Sequence, residues 1–585
     1  MKKFLITKDY RGYREKTDDT KLGPGYLIKG SQNMRSNDGE RIAIRGGYSL
    51  DGASATGSDA IESSYEWLTS RGVEIPLRSF GDEIQFRYGG TWIELEDGFT
   101  TVDFNFADYY DTTEKQSLLL MVNGEDKIWH WTGGITTFAS ATANTITKEG
   151  TTSWAEEGFA TAGTRRVIIG GTAYTYTGGE STTTLTGVSA DASGETVGSV
   201  VHQQMRSDLT TPATGVTNDI IEVLDNQVWV GSLTARQIYV SVQNDYTDYT
   251  FSTPRVVGEG ALLSLDGCPT GFVVQEDSIY ISAAKDQWYQ STFVLSADLT
   301  AQSLQIKRLK TTSQEAAISQ GAIAKIKNNV VFINNEPTLD TLGRIENIDT
   351  TQTKPISDAV KSLFERLDFD NVHVKYYKNE IFIALPDESL VLEYNLEKGY
   401  WEAPHTLPIR RLAIIGGELY GHSNAIDETY KLFDGTNDNA GPINAIAKFS
   451  YMNFGPRAWE KSFDEWYAEG LIGNNSKVDL AMNYEWKGSG GIQEFEIDGN
   501  DTDILFTPVS DASLGKTSLG QEPMGSTIQE TEDLVKFRQI NTTIKQDFFE
   551  VQPVYSSNGI DFQWEILSIG CNALLTKAQS INIKK

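Results

Sequence analysis

The stretch 372–404, VHVKYYKNEIFIALPDESLVLEYNLEKGYWEAP, decides the fold. Apolar residues alternate through Val372, Val374 and Tyr376, then Ile381, Ile383 and Leu385, then Leu390, Leu392 and Tyr394. Asn379, Pro386-Asp387 and Lys398-Gly399 stand where turns belong. The run predicts three strands in a meander, closed by Tyr400 and Trp401, aromatics large enough to seal a packed sheet edge.

The unit recurs. Hairpins with a strand on each side are expected at Asp225-Asn226, Glu276-Asp277, Asn328-Asn329 and Lys378-Asn379. From Asn226 to Asp277 is 51 residues, from Asp277 to Asn328 is 51, and from Asn328 to Lys378 is 50. A near-fixed step with about four short strands per unit predicts an all-β chain built on a β-propeller of six or seven blades. A chain of unrelated hairpins is the alternative.

Composition agrees with strands. The chain has 585 residues, 39% of them hydrophobic and 11% aromatic, with 53 glycines. Aromatics, Thr and Gly in these amounts favour strands and turns. No apolar run approaches the ~20 residues of a membrane span. The opening MKKFLITKDYRGYREK has no apolar core of useful length and is not expected to be a signal peptide. Two cysteines, Cys268 and Cys571, make no disulfide framework and suit a reducing cytoplasm. The net charge is −30, and no basic patch is long enough to grip nucleic acid. Such acidity serves solubility, or lines a duct through which a polyanion slides without sticking.

Four regions are expected. Residues 1–134 hold an N-terminal segment and the first blades, with hairpins at Gly89-Gly90 and Asn123-Gly124. Residues 135–202, rich in Thr, Ala, Gly and Ser, interrupt the step and predict a small β domain inserted in a propeller loop. Residues 203–440 carry the remaining blades. One helix is expected there, over 356–367, with Val360, Leu363, Phe364 and Leu367 on one face and Ser357 as its cap. Residues 441–585 predict a C-terminal β-sandwich or barrel platform, ending in a strand pair, 548–555 and 562–567, around Ser557-Asn558-Gly559.

Catalytic signatures are absent. There is no GxSxG or HExxH motif, and His130, His202, His373, His405 and His422 lack metal spacing. The run Ser510–Thr517 ends in Gly-Lys-Thr but has Ser where a phosphate loop needs Gly, and Gly520, Pro523 and Gly525 block the helix behind it. Asp434, Asn437, Asp438 and Asn439 offer oxygen ligands for calcium, and are also what a turn uses. The repeated Asp box of sialidases does not occur. No enzyme activity, no cofactor and no firm metal site is expected.

Several stretches carry a resemblance. Tyr394-x-x-x-x-Gly399-x-Trp401 is followed by Leu419-Tyr420-Gly421, by Asp434-Gly435 and Gly441-Pro442-Ile443, and by a strand segment with Lys461 near its start. Together with GYLIKGSQNMR (25–35) and ERIAIRGGY (40–48), this pattern resembles the tail nozzle, or tail hub, proteins of short-tailed bacteriophages. The resemblance implies a propeller with an added platform and a homo-oligomeric, sixfold ring at the distal virion tail. Such a ring sits below the portal and adaptor, carries tail fibres and stays plugged until double-stranded DNA passes through it. It implies no sequence-specific DNA contact and no membrane span, and a protein made in the host cytoplasm. No individual functional residue carries over. The alternatives are a receptor-binding or fibre-attachment protein, with Trp154, Tyr174 and Tyr176 as glycan contacts or as core, and a polysaccharide-degrading propeller.

Overall fold

In the computed structural model, the description covers most of residues 2–578. The longer stretches outside it are 16–21, 207–211, 213–216, 253–257, 296–301, 310–315, 343–354, 453–458, 486–490, 499–506, 509–534, 542–546 and 579–585. The Gly-Lys-Thr run therefore lies outside the described residues.

Seven small antiparallel sheets follow one another and form seven blades. Blade 1 is Ser63–Leu68, Glu74–Phe80, Glu83–Tyr88 and Thr91–Glu96. Blade 2 is Asn105–Asp111, Gln116–Val122 and Trp129–Trp131. Blades 3, 4 and 5 begin at Ile220–Leu224, Pro269–Gln275 and Ile323–Ile326. Blade 6 is the stretch quoted first, with strands His373–Tyr377, Glu380–Leu385, Leu390–Asn395 and Tyr400–Trp401. Blade 7 begins at Ile409–Ile415. The first strand of each blade contacts that of the next, and the first strand of blade 7 contacts that of blade 1. The sheets therefore close into a ring, a seven-bladed propeller.

Closure uses the start of the chain. The outer strand of blade 7 is Tyr48–Leu50, paired in the register Tyr430↔Leu50 and Leu432↔Tyr48. A ring whose last blade takes a strand from the far end of the sequence cannot open without breaking that ladder. The approach is tight: a Cβ on Gly47 would sit 1.9 Å from the Asn437 carbonyl oxygen. Only glycine fits there.

The turns explain the step. Asp225 and Asn226 both have positive φ, as do Lys378 and Asn379, the type I′ pattern of a two-residue hairpin. Each joins the first and second strands of its blade. Asn123-Gly124 instead lies between the second and third strands of blade 2, so it was out of phase with the others.

The insertion sits inside blade 2. Strands Ile135–Thr142, Thr145–Lys148, Arg166–Ile169, Thr172–Thr175, Thr184–Thr186 and Val200–Gln203 form one six-stranded sheet. Its ends close through Thr177 and Gly178, whose N–H groups donate to the Thr186 carbonyl. Trp154, Phe159, Tyr174, Tyr176 and Leu185 fill its core. Beyond it, Arg206 pairs with His130 and continues blade 2.

The platform has two sheets. One runs Met34–Asn37, Arg41–Ile44, Trp564–Ala578, Trp459–Ile472, Val535–Asn541 and Thr507–Pro508, with Lys2–Thr7 also on the 564–578 strand. The other runs Ala445–Lys448, Glu550–Ser557, Lys477–Glu485 and Gly491–Asp498. Residues 2–44 thus supply three strands to this unit. The strands 550–557 and 564–578 do not pair with each other; each belongs to a different sheet, as in a sandwich corner.

Propeller and platform share one core. Ile333, Phe364, Ile381 and Trp401 belong to the same buried cluster as Leu480, Val551, Tyr555 and Trp564, joined through Tyr10, Leu27, Met34 and Phe449. At about 25 cal/mol per Å² of apolar surface removed from water, such a continuous core holds the two units together. The helical segment is a 3₁₀ turn, Ile356–Val360, running into Lys361–Phe364. It buries Val360, Leu363 and Phe364 against this core. Ser357 is not its cap: Pro355 holds that place, and the Ser357 hydroxyl accepts from the Leu339 N–H at 3.1 Å.

Candidate functional site

The first strands of the blades surround a central channel, and its mouth is a cavity of about 560 Å³. Successive residues of a strand face opposite sides, so one set of residues packs between blades while the next faces the channel. In blade 5, Ala324 and Ile326 are buried while Lys325 is exposed; in blade 6, Val374 is buried while His373 and Lys375 are half-buried. Tyr65, Phe106, Glu222, Lys325, Lys375 and Arg411 reach this cavity from six different blades.

Most charged groups there are satisfied by protein. Lys375 Nζ meets Glu66 Oε2 at 2.6 Å, and the other Glu66 oxygen accepts from the Ile414 N–H at 2.9 Å. Arg411 Nε donates to the Glu62 carbonyl at 2.6 Å, and the guanidinium stands 3.5 Å from Asp103. Asp219 accepts from Thr217 and from the Leu233 N–H, each at 2.8 Å. His373 accepts from the Leu412 N–H at 3.1 Å, and burial, with Arg411 and Lys375 nearby, pushes its pKa well below the usual value. Its ring is therefore a neutral acceptor. Glu222 differs: among the described residues its carboxylate accepts only from the N–H of Val223, and burial pushes its pKa up to about 7.

A second polar cluster lies where the N-terminal segment, blade 6 and the platform meet. Arg35 donates to Glu393 at 2.9 Å and to Glu380 at 2.5 Å. His405 Nε2 lies 3.0 Å from the second Glu393 oxygen, and Glu402 accepts from the Ser36 N–H at 3.1 Å. Three carboxylates surround one guanidinium. Burial and the Glu393 charge push Glu380 up to about 7 and Glu402 up to about 8. Burial acts to raise Glu393 too, but Arg35 and His405 outweigh it and hold this carboxyl below its usual range.

The residues nominated from sequence for calcium sit beside this cluster. Asp438 takes both oxygens to Arg45, Asp434 accepts from Ser49 at 2.8 Å, and Asn437 Oδ1 accepts from the Asp561 N–H at 2.8 Å. Asn439 has positive φ and donates its N–H to the Tyr48 carbonyl, a turn role. Among the described residues no group of three or more His, Cys, Asp or Glu is arranged to hold a metal ion. The histidines are scattered, and burial lowers His130 and His422 to about 3 and His202 to about 4. Among the described residues, no hydroxyl lining the channel mouth is hydrogen bonded to a histidine. Trp154, Tyr174 and Tyr176 are buried in the inserted domain.

Sequence reading did not find Glu222 or Lys325. Their signal is an ionisable residue in the first strand of a repeat, within IIEVL and IAKI, where an apolar residue would serve a packed strand.

No family model matches this chain, and no curated protein matches it. Similar solved structures include a computationally designed protein, Ika8, at 13% identity and TM-score 0.32, covering 66% of this chain and 99% of that one. BamB from Moraxella catarrhalis is 10% identical with a TM-score of 0.27, covering 64% of this chain and 98% of that one. The BBS1N chain from its complex with ARL6DN is 11% identical with a TM-score of 0.25, covering 68% and 99%. Likeness at this level adds nothing to the topology described above. Among the described residues no helix is long and apolar enough to cross a membrane.

Proposed function

We propose that this chain is a non-enzymatic structural subunit of a bacteriophage tail, of the nozzle or hub kind. It assembles into a ring, sixfold by the resemblance of its sequence, and passes double-stranded DNA during ejection. Its partners are copies of itself, the adaptor proteins below the portal, and tail fibres. The observation that carries the reading is that propeller and platform share one core and that residues 2–50 are built into both. A body of that kind is stiff, and a conduit needs fixed diameter more than it needs chemistry. The net charge of −30 suits a wall that DNA does not stick to.

The receptor-binding alternative loses its aromatic candidates to the core of the inserted domain. A polysaccharide-degrading propeller needs two carboxylates flanking an open cleft. Glu66, Asp103 and Asp219 are each engaged with protein groups instead, which leaves Glu222 and the exposed Asp370 as the other carboxylates of the channel mouth. Negative-stain microscopy of the purified chain, and of virions labelled with an antibody to it, tests the reading. Rings and label at the distal tail support it; monomers alone and unlabelled tails overturn it.

A further inference from the structure

We propose that the mouth of the propeller channel binds a small zwitterion, with its ammonium group on Glu222 beside the Tyr65–Phe106 aromatic pair and its anionic group facing Lys325. The site goes beyond the virion role and does not depend on it.

Three observations converge on this cavity. First, Glu222 carries a carboxylate into a space of about 560 Å³ with no side-chain partner among the described residues. A carboxylate taken partly out of water and left unpaired is costly, and its pKa records that cost. An ammonium ion would relieve it. Second, Tyr65 and Phe106 stack with ring centroids 5.1 Å apart and planes 14° apart, forming an aromatic wall of the same cavity. The negative face of an aromatic ring attracts an ammonium ion. Third, Lys325 enters from blade 5 and forms no ion pair among the described residues, yet its charge is felt at Glu222. The two opposite charges thus face one space without closing on each other. Among the other charged lining groups, Lys375, Arg411, Asp103 and Asp219 already have partners, and Asp370 is exposed.

The site is tested by titrating the full chain with ω-amino acids of stepped length, from glycine to 6-aminohexanoate, followed by calorimetry and thermal shift. Alkylamines and alkanoates of matching length are run alongside. One length, or two adjacent ones, is expected to bind and raise the melting temperature, and neither half-ligand to match it. Glu222→Gln and Lys325→Met are each expected to weaken binding about tenfold or more, the scale of one lost charge contact. Without ligand, Glu222→Gln should melt no lower than the parent, because it removes an unpaired charge, so lost binding is not lost folding. The proposal is overturned if no member of the series binds, if the amine alone binds as well as the amino acid, or if either substitution leaves affinity unchanged.

Discussion

Arg45 grips Asp438 with two parallel hydrogen bonds, of 2.8 and 2.7 Å, from a side chain that is fully buried. Its other three N–H groups donate to Asn33 Oδ1 and to the carbonyls of Gly46 and Thr406. All five donors of the guanidinium are used. The pair fixes the N-terminal segment to the loop after blade 7, three residues before the strand that closes the ring. Arg45→Ala is expected to cost about 3–5 kcal/mol of stability, because it strands a carboxylate and three acceptors. Arg45→Lys should recover little, since an ammonium cannot fork. Urea unfolding of the three proteins checks this; a loss for Arg45→Ala no larger than an exposed pair's, ~1 kcal/mol, would contradict it.

Stability should fall as the solution becomes alkaline. Glu380, Glu402 and Glu222 have carboxyls raised to about 7, 8 and 7 in the folded chain, against about 4.3 when unfolded. Between those values the folded chain holds more protons than the unfolded one, so each rise in pH favours unfolding. Below about pH 6.5 the buried histidines, whose pKa values burial lowers, act in the opposite sense, so the net decline runs from about pH 6.5 to about pH 8. Glu393, held low, acts in the opposite sense and is felt only below about pH 4. Melting temperatures should decline from about pH 6.5 to about pH 8, and Glu402→Gln should flatten the decline.

The inserted domain should be removable. Thr137 and Val200 are directly paired, so the strands entering and leaving the insertion already lie side by side. Replacing 138–199 by Asn-Gly should turn those strands into an ordinary hairpin. The His130–Arg206 pairing and the Trp131 Nε1–Gln203 carbonyl bond, at 2.7 Å, lie outside the deletion. The shortened chain should unfold cooperatively in urea, with a smaller m-value in proportion to the surface lost. Aggregation on expression would show that the insertion supports the ring.

Calcium should do nothing to the corner at 434–439. Asp438 is neutralised by Arg45 and Asp434 by Lys431, Ser49 donates to Asp434, and Asn437 Oδ1 is occupied by the Asp561 N–H. Saturating calcium, or a chelator, is expected to leave the melting temperature in place. A rise with calcium that Asp438→Asn abolishes would refute this.

Local pattern was readable because it is local. Alternation and turn residues in 372–404 specify three strands with no help from elsewhere, and the I′ turns at Asp225-Asn226 and Lys378-Asn379 repeat the same chemistry. Partnership across the chain was not readable. Nothing in GGYSLDG says that Tyr48–Leu50 pairs with Thr429–Leu432, because three residues carry too little pattern to choose a partner. The step from Lys378 to Gly416 is 38 rather than about 50 because the strands of blade 6 are joined by short turns, 386–389 and 396–399. Asp and Asn at 434–439 were ambiguous between ion and turn, and the deciding residue, Arg45, is remote in sequence. Glu222 and Lys325 converge only once the ring is closed, so neither could be singled out beforehand.

The pairing of Lys2 with Ala573 has a consequence for biosynthesis. A ribosome adding about 5–20 residues per second takes about half a minute to two minutes to travel from one partner to the other. Throughout that interval the early strands expose unpaired edges while the blades behind them are completed one by one. The propeller's own repeats can condense in order of synthesis, but the platform cannot begin until its last long strand emerges. Maturation of the molecule is thus gated by translation of its tail end, and a nascent chain stalled before residue 564 should be the form that chaperones hold longest.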